Sequence, residues 1–586
     1  MKIILAKSLG YCLGVRRAMN LAFTALKRAK GPVLSVGPII HNQAAFDLLK
    51  QKGLSLYQDD SPLTQDTVVI IRAHGLPLDK EEWFKNSPAT VIDATCPKVA
   101  AVQKLLRKEA LSGRNIIILG QKGHPEVEGL LGYSMGLGAL VSEPEDVERL
   151  PDYERVLLVS QSTQDISLWE EVLDRAQKKY QGGDFKAVNT ICQATIVRQR
   201  EAKELSREAD ALVVVGGKES GNTARLFNIL NESHKPTIAV EGPEDIPANF
   251  PEGKEKVGVM AGASTPNWQI RMVVQALLAS GRATEKNLRA SLGRFFRALV
   301  LSSTYVGLGS GVYGWALSKA MGFNLPAIYF GLYVYFAVSN HLLLGFLDRD
   351  SAKYNDPDRA AFLHKYERPL VLLGLMCLFL SISSAFFISI RVFACIVVFS
   401  LLSLTFALRG VERALEEIKI GPIRLSLLLN KTMKGALGWG LLLNIPPLLG
   451  EPPLIPWSHQ GLILLFASLI AAFLQVFTRC FLMDMLDAKG DRVFERETPA
   501  SILGYRKAPR FLARLIVFWG IYLIVLWATG VFSSYALPLI LAGPLYNWLI
   551  LLRLKCRADL GGYHFDLMVD AQFFLCGLLA LLWSWV

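Results

Sequence analysis

Through its first half the chain alternates two patterns. Short apolar, mostly β-branched runs fall at Met1–Leu5, Val33–Val36, Val68–Ile71, Val91–Ile92, Ile116–Leu119, Val156–Val159, Leu212–Val215 and Val257–Met260. Between them lie stretches with apolar positions three or four apart, such as Lys98–Leu111 and Ser167–Lys179. Short continuous strands separated by amphipathic helices predict parallel sheets built from βαβ units. In such sheets ligands sit beyond the carboxyl ends of the strands. Seven of the runs end in polar, glycine-rich turns carrying His41 and Asn42, His74, Cys96, His124 with Glu126, Ser162, Ser220 with Asn222, and Ser264. So many polar strand ends predict one shared site.

From about Arg294 the pattern changes to long apolar runs, and about 20 such residues span a bilayer. Nine spans are predicted, near 297–320, 325–347, 369–389, 391–408, 435–450, 461–483, 511–530, 534–553 and 567–586. A chain of 586 residues exceeds one ordinary core. The change of pattern predicts two domains, 1–283 and 284–586. The expected fold class is an α/β soluble domain of three similar βαβ units about one centre, followed by an all-α membrane domain of about nine helices.

Composition agrees with that division. Hydrophobic residues make up 52% of the chain, and mean hydropathy is +0.32. Through Glu285 there are 35 Lys+Arg against 34 Asp+Glu; the remainder holds 28 against 17, so +11 of the net +12 lies there. This basic excess flanks apolar runs, in the manner of the positive-inside rule and not of a nucleic-acid surface. Basic loops follow the even-numbered spans, at Arg349–Arg368, Arg409–Lys434, Lys489–Arg514 and Arg553–Arg557. They predict an inner-membrane protein whose first domain faces the cytoplasm and whose C-terminus lies outside. No N-terminal apolar stretch has the length of a signal peptide.

Three of the eight cysteines, Cys12, Cys96 and Cys192, fall in the soluble half. They stand 84 and 96 residues apart, about one small α/β unit each, which suggests three units giving one thiol apiece. A reducing compartment argues against disulfides. Thiolates suit iron–sulfur clusters, and three of them leave one iron of a cubane without a protein ligand. Three buried structural cysteines are the plain alternative, and a three-cysteine zinc site is another, although no fourth ligand lies nearby in sequence. Imidazoles, hydroxyls and helix N-terminal amides all donate to phosphate oxygens. His41, His74, His124, the Ser220-Gly221-Asn222 turn and Ser264 therefore suggest a diphosphate cradle. Glu126, or Glu128 one helical step on, is placed to deliver a proton.

Taken in order, the motifs of the first roughly 280 residues resemble 4-hydroxy-3-methylbut-2-enyl diphosphate reductases. They are Gly-Tyr-Cys-Leu-Gly-Val-Arg-Arg at Cys12, His-Asn-Gln at His41, Arg-Ala-His-Gly at His74 and Asp-Ala-Thr-Cys-Pro at Cys96. Gly-His-Pro-Glu-Val-Glu-Gly at His124, Thr-Ile-Cys-Gln-Ala-Thr at Cys192 and Ala-Gly-Ala-Ser at Ser264 complete the set. The resemblance implies reduction of the C5 diphosphate to isopentenyl and dimethylallyl diphosphate. It implies a [4Fe–4S] cluster on Cys12, Cys96 and Cys192, substrate contacts from His41, His74, His124, Ser162, Ser220, Gly221, Asn222 and Ser264, and Glu126 as proton donor. No nicotinamide or flavin fingerprint is visible, so a ferredoxin- or flavodoxin-type donor is expected. Two departures stand out: Ser160-Gln161-Ser162-Thr163 replaces Thr-Gln-Thr-Thr, and Gly221 replaces the middle serine of Ser-Ser-Asn.

In the second half, Asp484, Asp487 and Asp491 fall on one face of a helix. Carboxylates clustered at a membrane surface suit Mg²⁺ bridging a diphosphate. The segment resembles the second aspartate-rich motif of UbiA-like membrane prenyltransferases. The first motif departs from that family: Leu344-Gly345 stand at its head, Asp348 aligns, and Ala352 replaces the last aspartate. A bifunctional isoprenoid enzyme is the leading reading. A reductase carrying a lipid-binding or anchoring module is the second, and an unrelated iron–sulfur hydratase the third.

Overall fold

The computed structural model describes residues 2–59, 61–250, 253–282, 288–347, 356–407, 419–420, 423–424, 430–489, 499–556 and 562–585. The chain divides into two compact units, Met1–Ala283 and a second beginning at Thr284.

The first unit contains three four-stranded parallel sheets. The twelve strands are β1 (Lys2–Leu5), β2 (Val33–Val36), β3 (Leu54–Leu56), β4 (Val68–Ile71), β5 (Thr90–Asp93), β6 (Asn115–Leu119), β7 (Gly138–Val141), β8 (Arg155–Ser160), β9 (Asp184–Ala187), β10 (Ala211–Val215), β11 (Thr237–Val240) and β12 (Lys256–Ala261). The helices between them are α1 (Leu13–Arg28), α2 (Gln43–Gln51), α3 (Leu78–Lys85), α4 (Pro97–Leu111), α5 (Pro125–Tyr133), α6 (Ile166–Lys179), α7 (Gln193–Glu208), α8 (Gly221–Asn231) and α9 (Asn267–Arg282).

Sheet orders are β3-β2-β4-β5, β7-β6-β8-β9 and β11-β10-β12-β1. The same order recurs three times, and the third sheet is completed by the first strand of the chain. Lys2 to Leu5 pair in parallel with Lys256 to Val259. Central strands such as Ile116–Leu119 and Ala211–Val215 are buried throughout, as parallel strands covered on both faces require.

The second unit is helical. Six helices are long and apolar enough to cross a membrane: Ala327–Leu347, Glu367–Ile388, His459–Met485, Lys507–Ala528, Ala536–Leu554 and Tyr563–Trp583. The predicted nine spans thus reduce to six by length and hydropathy among the described residues. The other three segments are helical but fall short for separate reasons. Thr304–Ala320 has 17 residues and is rich in glycine. A Cβ on Gly307, Gly311 or Gly314 would collide with Val338, Val334 or Tyr333, so this helix is built for close helix packing. Ile390–Thr405 is apolar but short. Lys431–Leu449 carries Lys431, Lys434, Asn444, Pro446 and Pro447.

On Glu367–Ile388 the large apolar side chains Leu372, Phe379 and Phe387 are exposed, as lipid contact demands. Charged side chains are paired instead. Arg479 holds Asp570 at 2.6 Å, Arg359 holds Asp566 at 3.0 Å and Asp356 at 3.3 Å, and Arg297 holds Asp358 at 2.6 Å.

Candidate active site

In each sheet the site residues occupy equivalent strand ends. The edge strands β1, β5 and β9 lead to Cys12, Cys96 and Cys192, and each cysteine is the N-cap of the next helix. The strands β2, β6 and β10 lead to His41, His124 and Ser220. His124 and Ser220 are likewise N-caps, while Asn42 caps α2 directly after His41. The strands β4, β8 and β12 lead to His74, Ser162 and Ser264.

The two sets are stitched together by the cysteine amides. Cys12 N–H donates to Ala263 O at 3.0 Å, Cys96 N–H to Ala73 O at 2.9 Å and Cys192 N–H to Ser162 O at 2.9 Å. Ala263 precedes Ser264, and Ala73 precedes His74. Each thiol loop is therefore fastened to the polar strand end beside it in the same sheet.

The thiols approach one another. Cys96 feels the charges of Cys12 and Cys192, although burial is the larger cause pushing its pKa up. A Cβ on Gly14 would collide with Cys96 Sγ, so glycine is required where α1 meets that loop. Yet no three His, Cys, Asp or Glu side chains among the described residues close on a single metal ion. Three thiols are a soft donor set of the kind that iron–sulfur clusters take.

The imidazoles form a compact trio. Ring centroids lie 4.4 Å apart for His41 and His74, 5.4 Å for His41 and His124, and 5.6 Å for His74 and His124. Burial lowers the pKa of all three, that of His124 to about 4, and the Arg72 guanidinium lowers each further. At neutral pH the free imidazoles are uncharged. His124 Nδ1 accepts the Glu126 N–H at 3.1 Å, which leaves Nε2 to donate. His41 Nε2, His74 Nδ1 and Asn222 Nδ2 are buried without a hydrogen-bond partner among the described residues. Buried polar atoms without partners are costly, and an anion seated there would satisfy them. Ser264 Oγ joins the group, donating to His41 O at 2.9 Å and lying 3.5 Å from Ser220 Oγ.

Glu126 is 4% exposed. Its carboxylate accepts from Ser162 N at 2.6 Å and Ser162 Oγ at 2.8 Å. Burial raises its pKa, and the two bonds from Ser162 oppose that rise. Ser162 thus orients the acid. A hydroxyl suffices for this contact, whether from serine or threonine.

Sequence reasoning missed Arg72. It follows β4, and its buried Nε has no hydrogen-bond partner among the described residues. A Cβ on Gly37, whose φ is +78°, would come within 2.8 Å of its Nη1. The signal was present in the Arg-Ala-His-Gly string but was read only for its histidine.

Of the acidic residues in the second unit, Asp484 accepts a hydrogen bond from Thr432 Oγ1. Asp348 and Asp491, and the side chain of Asp487, lie outside the described residues.

Three parallel sheets of identical order, each bringing one thiol to its edge-strand end, define a three-unit α/β class distinct from a single doubly wound sheet. Comparison narrows the class to a family. Residues 3–278 match the LytB protein family. The 4-hydroxy-3-methylbut-2-enyl diphosphate reductase of Aquifex aeolicus (strain VF5) is 40% identical over 274 residues, covering 46% of this chain and 94% of that protein. A solved structure of (E)-4-hydroxy-3-methyl-but-2-enyl diphosphate reductase is 38% identical, covering 47% of this chain and 99% of its own, with a TM-score of 0.39. A UbiA homolog from Aeropyrum pernix K1 is 13% identical, covering 49% of this chain and 99% of its own, with a TM-score of 0.38. Through its first unit the chain belongs to the 4-hydroxy-3-methylbut-2-enyl diphosphate reductase family.

Proposed function

We propose that the first unit reduces (E)-4-hydroxy-3-methylbut-2-enyl diphosphate to isopentenyl and dimethylallyl diphosphate. The observation that carries this reading is the fastening of each thiol loop to a polar strand end, which sets electron transfer beside anion binding. Cys12, Cys96 and Cys192 would hold a [4Fe–4S] cluster. That cluster supplies single electrons and an iron open to substrate.

The residues of the chain do the rest. His41, His74, His124, Ser220, Asn222 and Ser264 seat the diphosphate, with the Gly221 amide at the start of α8. Glu126, buried and held by Ser162, gives its proton to the departing hydroxyl. Two electrons and two protons enter overall. One proton leaves with the hydroxyl as water, and the other goes to either end of the allylic carbon chain, giving the two products. The electrons come from an external ferredoxin- or flavodoxin-type donor.

The test is full-length protein in detergent, loaded with iron and sulfide, with a chemical reductant and the C5 substrate. Wild type should form both products. Glu126→Gln should lose about 10²–10⁴-fold in kcat while keeping wild-type iron content and KM. Wild-type turnover by that variant would remove Glu126 from the mechanism.

The second unit, on this reading, is a nine-span prenyltransferase of the inner membrane. Its Asp484 segment would hold Mg²⁺ against a prenyl diphosphate, and the reductase unit would face the cytoplasm. One observation favours the alternative of a lipid-binding anchor. Asp356 and Asp358, in the Asn-Asp-Pro-Asp-Arg stretch that resembles the tail of the first motif, are already paired with Arg359 and Arg297.

A further inference from the structure

Two of the three junctions between cysteine loops are bridged by an arginine. Arg198 lies on α7, the helix capped by Cys192, and is 4% exposed. Its Nη2 donates to Gly10 O at 2.8 Å and its Nη1 to Ala194 O at 3.3 Å. Gly10 stands two residues before Cys12, and Ala194 two after Cys192. One guanidinium therefore fixes those two loops against each other.

Arg17 does the same from α1, the helix capped by Cys12. Its Nη1 donates to Thr95 O at 3.0 Å and its Nη2 to Asp93 O at 3.1 Å, gripping the turn that delivers Cys96. On α4 the corresponding positions, five and six residues past Cys96, are Ala101 and Val102. Those two positions of α4 thus offer the third junction no cation.

The two arginines differ in surroundings. Arg198 is enclosed, its Nε has no partner among the described residues, and it interacts electrostatically with Cys12 and Cys192. Glu201 also faces it. That carboxylate is engaged by Ser8 N at 2.8 Å and Ser8 Oγ at 3.0 Å. Arg17 is solvent-exposed, where water and salt screen its charge.

We propose that Arg17 and Arg198 are positioning residues that set the spacing of the three thiolates, and that Arg198 also raises the reduction potential of whatever cluster they hold. The inference rests on the cluster assignment above. Reduction adds a negative charge to the cluster, and a buried cation beside two of its ligands favours the reduced state. Removing that cation lowers the potential. Removing the screened Arg17 does not, but it frees the Cys96 turn.

The experiment uses the full-length protein in detergent, reconstituted anaerobically with iron and sulfide. Midpoint potential is read by EPR-monitored titration, and iron loss is timed under a ferrous chelator. Arg198→Gln should shift the reduction equilibrium by about tenfold toward the oxidised form, equivalent to about 59 mV for one electron. Arg198→Lys, which keeps the charge but not the fork, should hold the wild-type potential and lose iron several-fold faster. Arg17→Gln should also hold the wild-type potential and lose iron several-fold faster. An unshifted Arg198→Gln, or a shifted Arg198→Lys, overturns the electrostatic part. Wild-type iron retention by Arg17→Gln overturns the clamp. A wild type that takes up no cluster overturns this inference together with the functional reading, whereas a loaded wild type with unaltered variants overturns the inference alone.

Discussion

At the scale of single residues, the site combines neutral donors with one nearby fixed charge. His41, His74 and His124 are uncharged in the free protein because burial and Arg72 both disfavour their protonation. A bound diphosphate reverses that balance, since an anion favours imidazolium. The histidine pKa values therefore rise on binding, and the complex takes up protons. Affinity must then increase as pH falls toward the raised values. KM for the C5 substrate should fall between pH 8 and pH 6, and the slope should flatten in His124→Asn, which keeps a donor but cannot charge. Equal slopes in both proteins would assign the effect to the substrate's own titration. That each of these histidines follows a strand was legible in the sequence, because each comes after an apolar run. Their charge states were not. The position of Arg72 beside three imidazoles depends on the fold of the His41 and His124 loops, which are 31 and 52 residues away from it in the chain.

Among the elements, every central strand was readable, while four of the six edge strands were not. Runs such as Val68–Ile71 and Leu212–Val215 are continuous because both faces are covered. The strands β3, β7, β9 and β11 were missed. They lie at sheet edges, and Asp184–Ala187 reads Asp-Phe-Lys-Ala, with three of its four residues exposed. Edge position relaxes the demand for apolar side chains, and the pattern fades with it. For the membrane helices the difference is one of length. Thr304–Ala320, predicted as a span by its apolar character, has 17 residues, and its glycines serve helix packing. Parity makes the count testable. Nine spans put the C-terminus on the side opposite the reductase unit, and six put it on the same side. A C-terminal alkaline phosphatase fusion should be active and a fluorescent-protein fusion dark if nine segments cross. The reverse pattern would establish an even number.

For the whole molecule, the question is whether the second unit does chemistry. Its polar side chains inside apolar helices are expensive to keep there, which favours function over mere anchoring. Incubated with Mg²⁺ and labelled polyprenyl diphosphates in a host lipid extract, the full-length protein should release pyrophosphate, and Asp484→Ala should reduce that release at least tenfold without touching the reductase. No release with any donor, while C5 reduction continues, would leave the helices as an anchor. The change from short strands to long apolar runs was plain from hydropathy and charge alone. The closure of the first unit was not, because nothing in a linear pattern announces that strand one pairs with strand twelve.

That closure also governs when the protein can be finished during its synthesis. Leu5 cannot pair until Val259 has been made. At about 5–20 residues per second, the intervening stretch of some 250 residues takes roughly 13–50 s to translate. Until then the Cys12 loop lacks the Ala263 carbonyl that fastens it, and Arg198 has no settled Gly10 to grip. The first helix long and apolar enough to cross a membrane begins at Ala327, 64 residues after Ala263, so it follows the closure of the site by about 3–13 s of synthesis. Completion of the thiol triad thus comes first, and the signal for membrane insertion emerges only seconds later, on a chain whose first unit can already close.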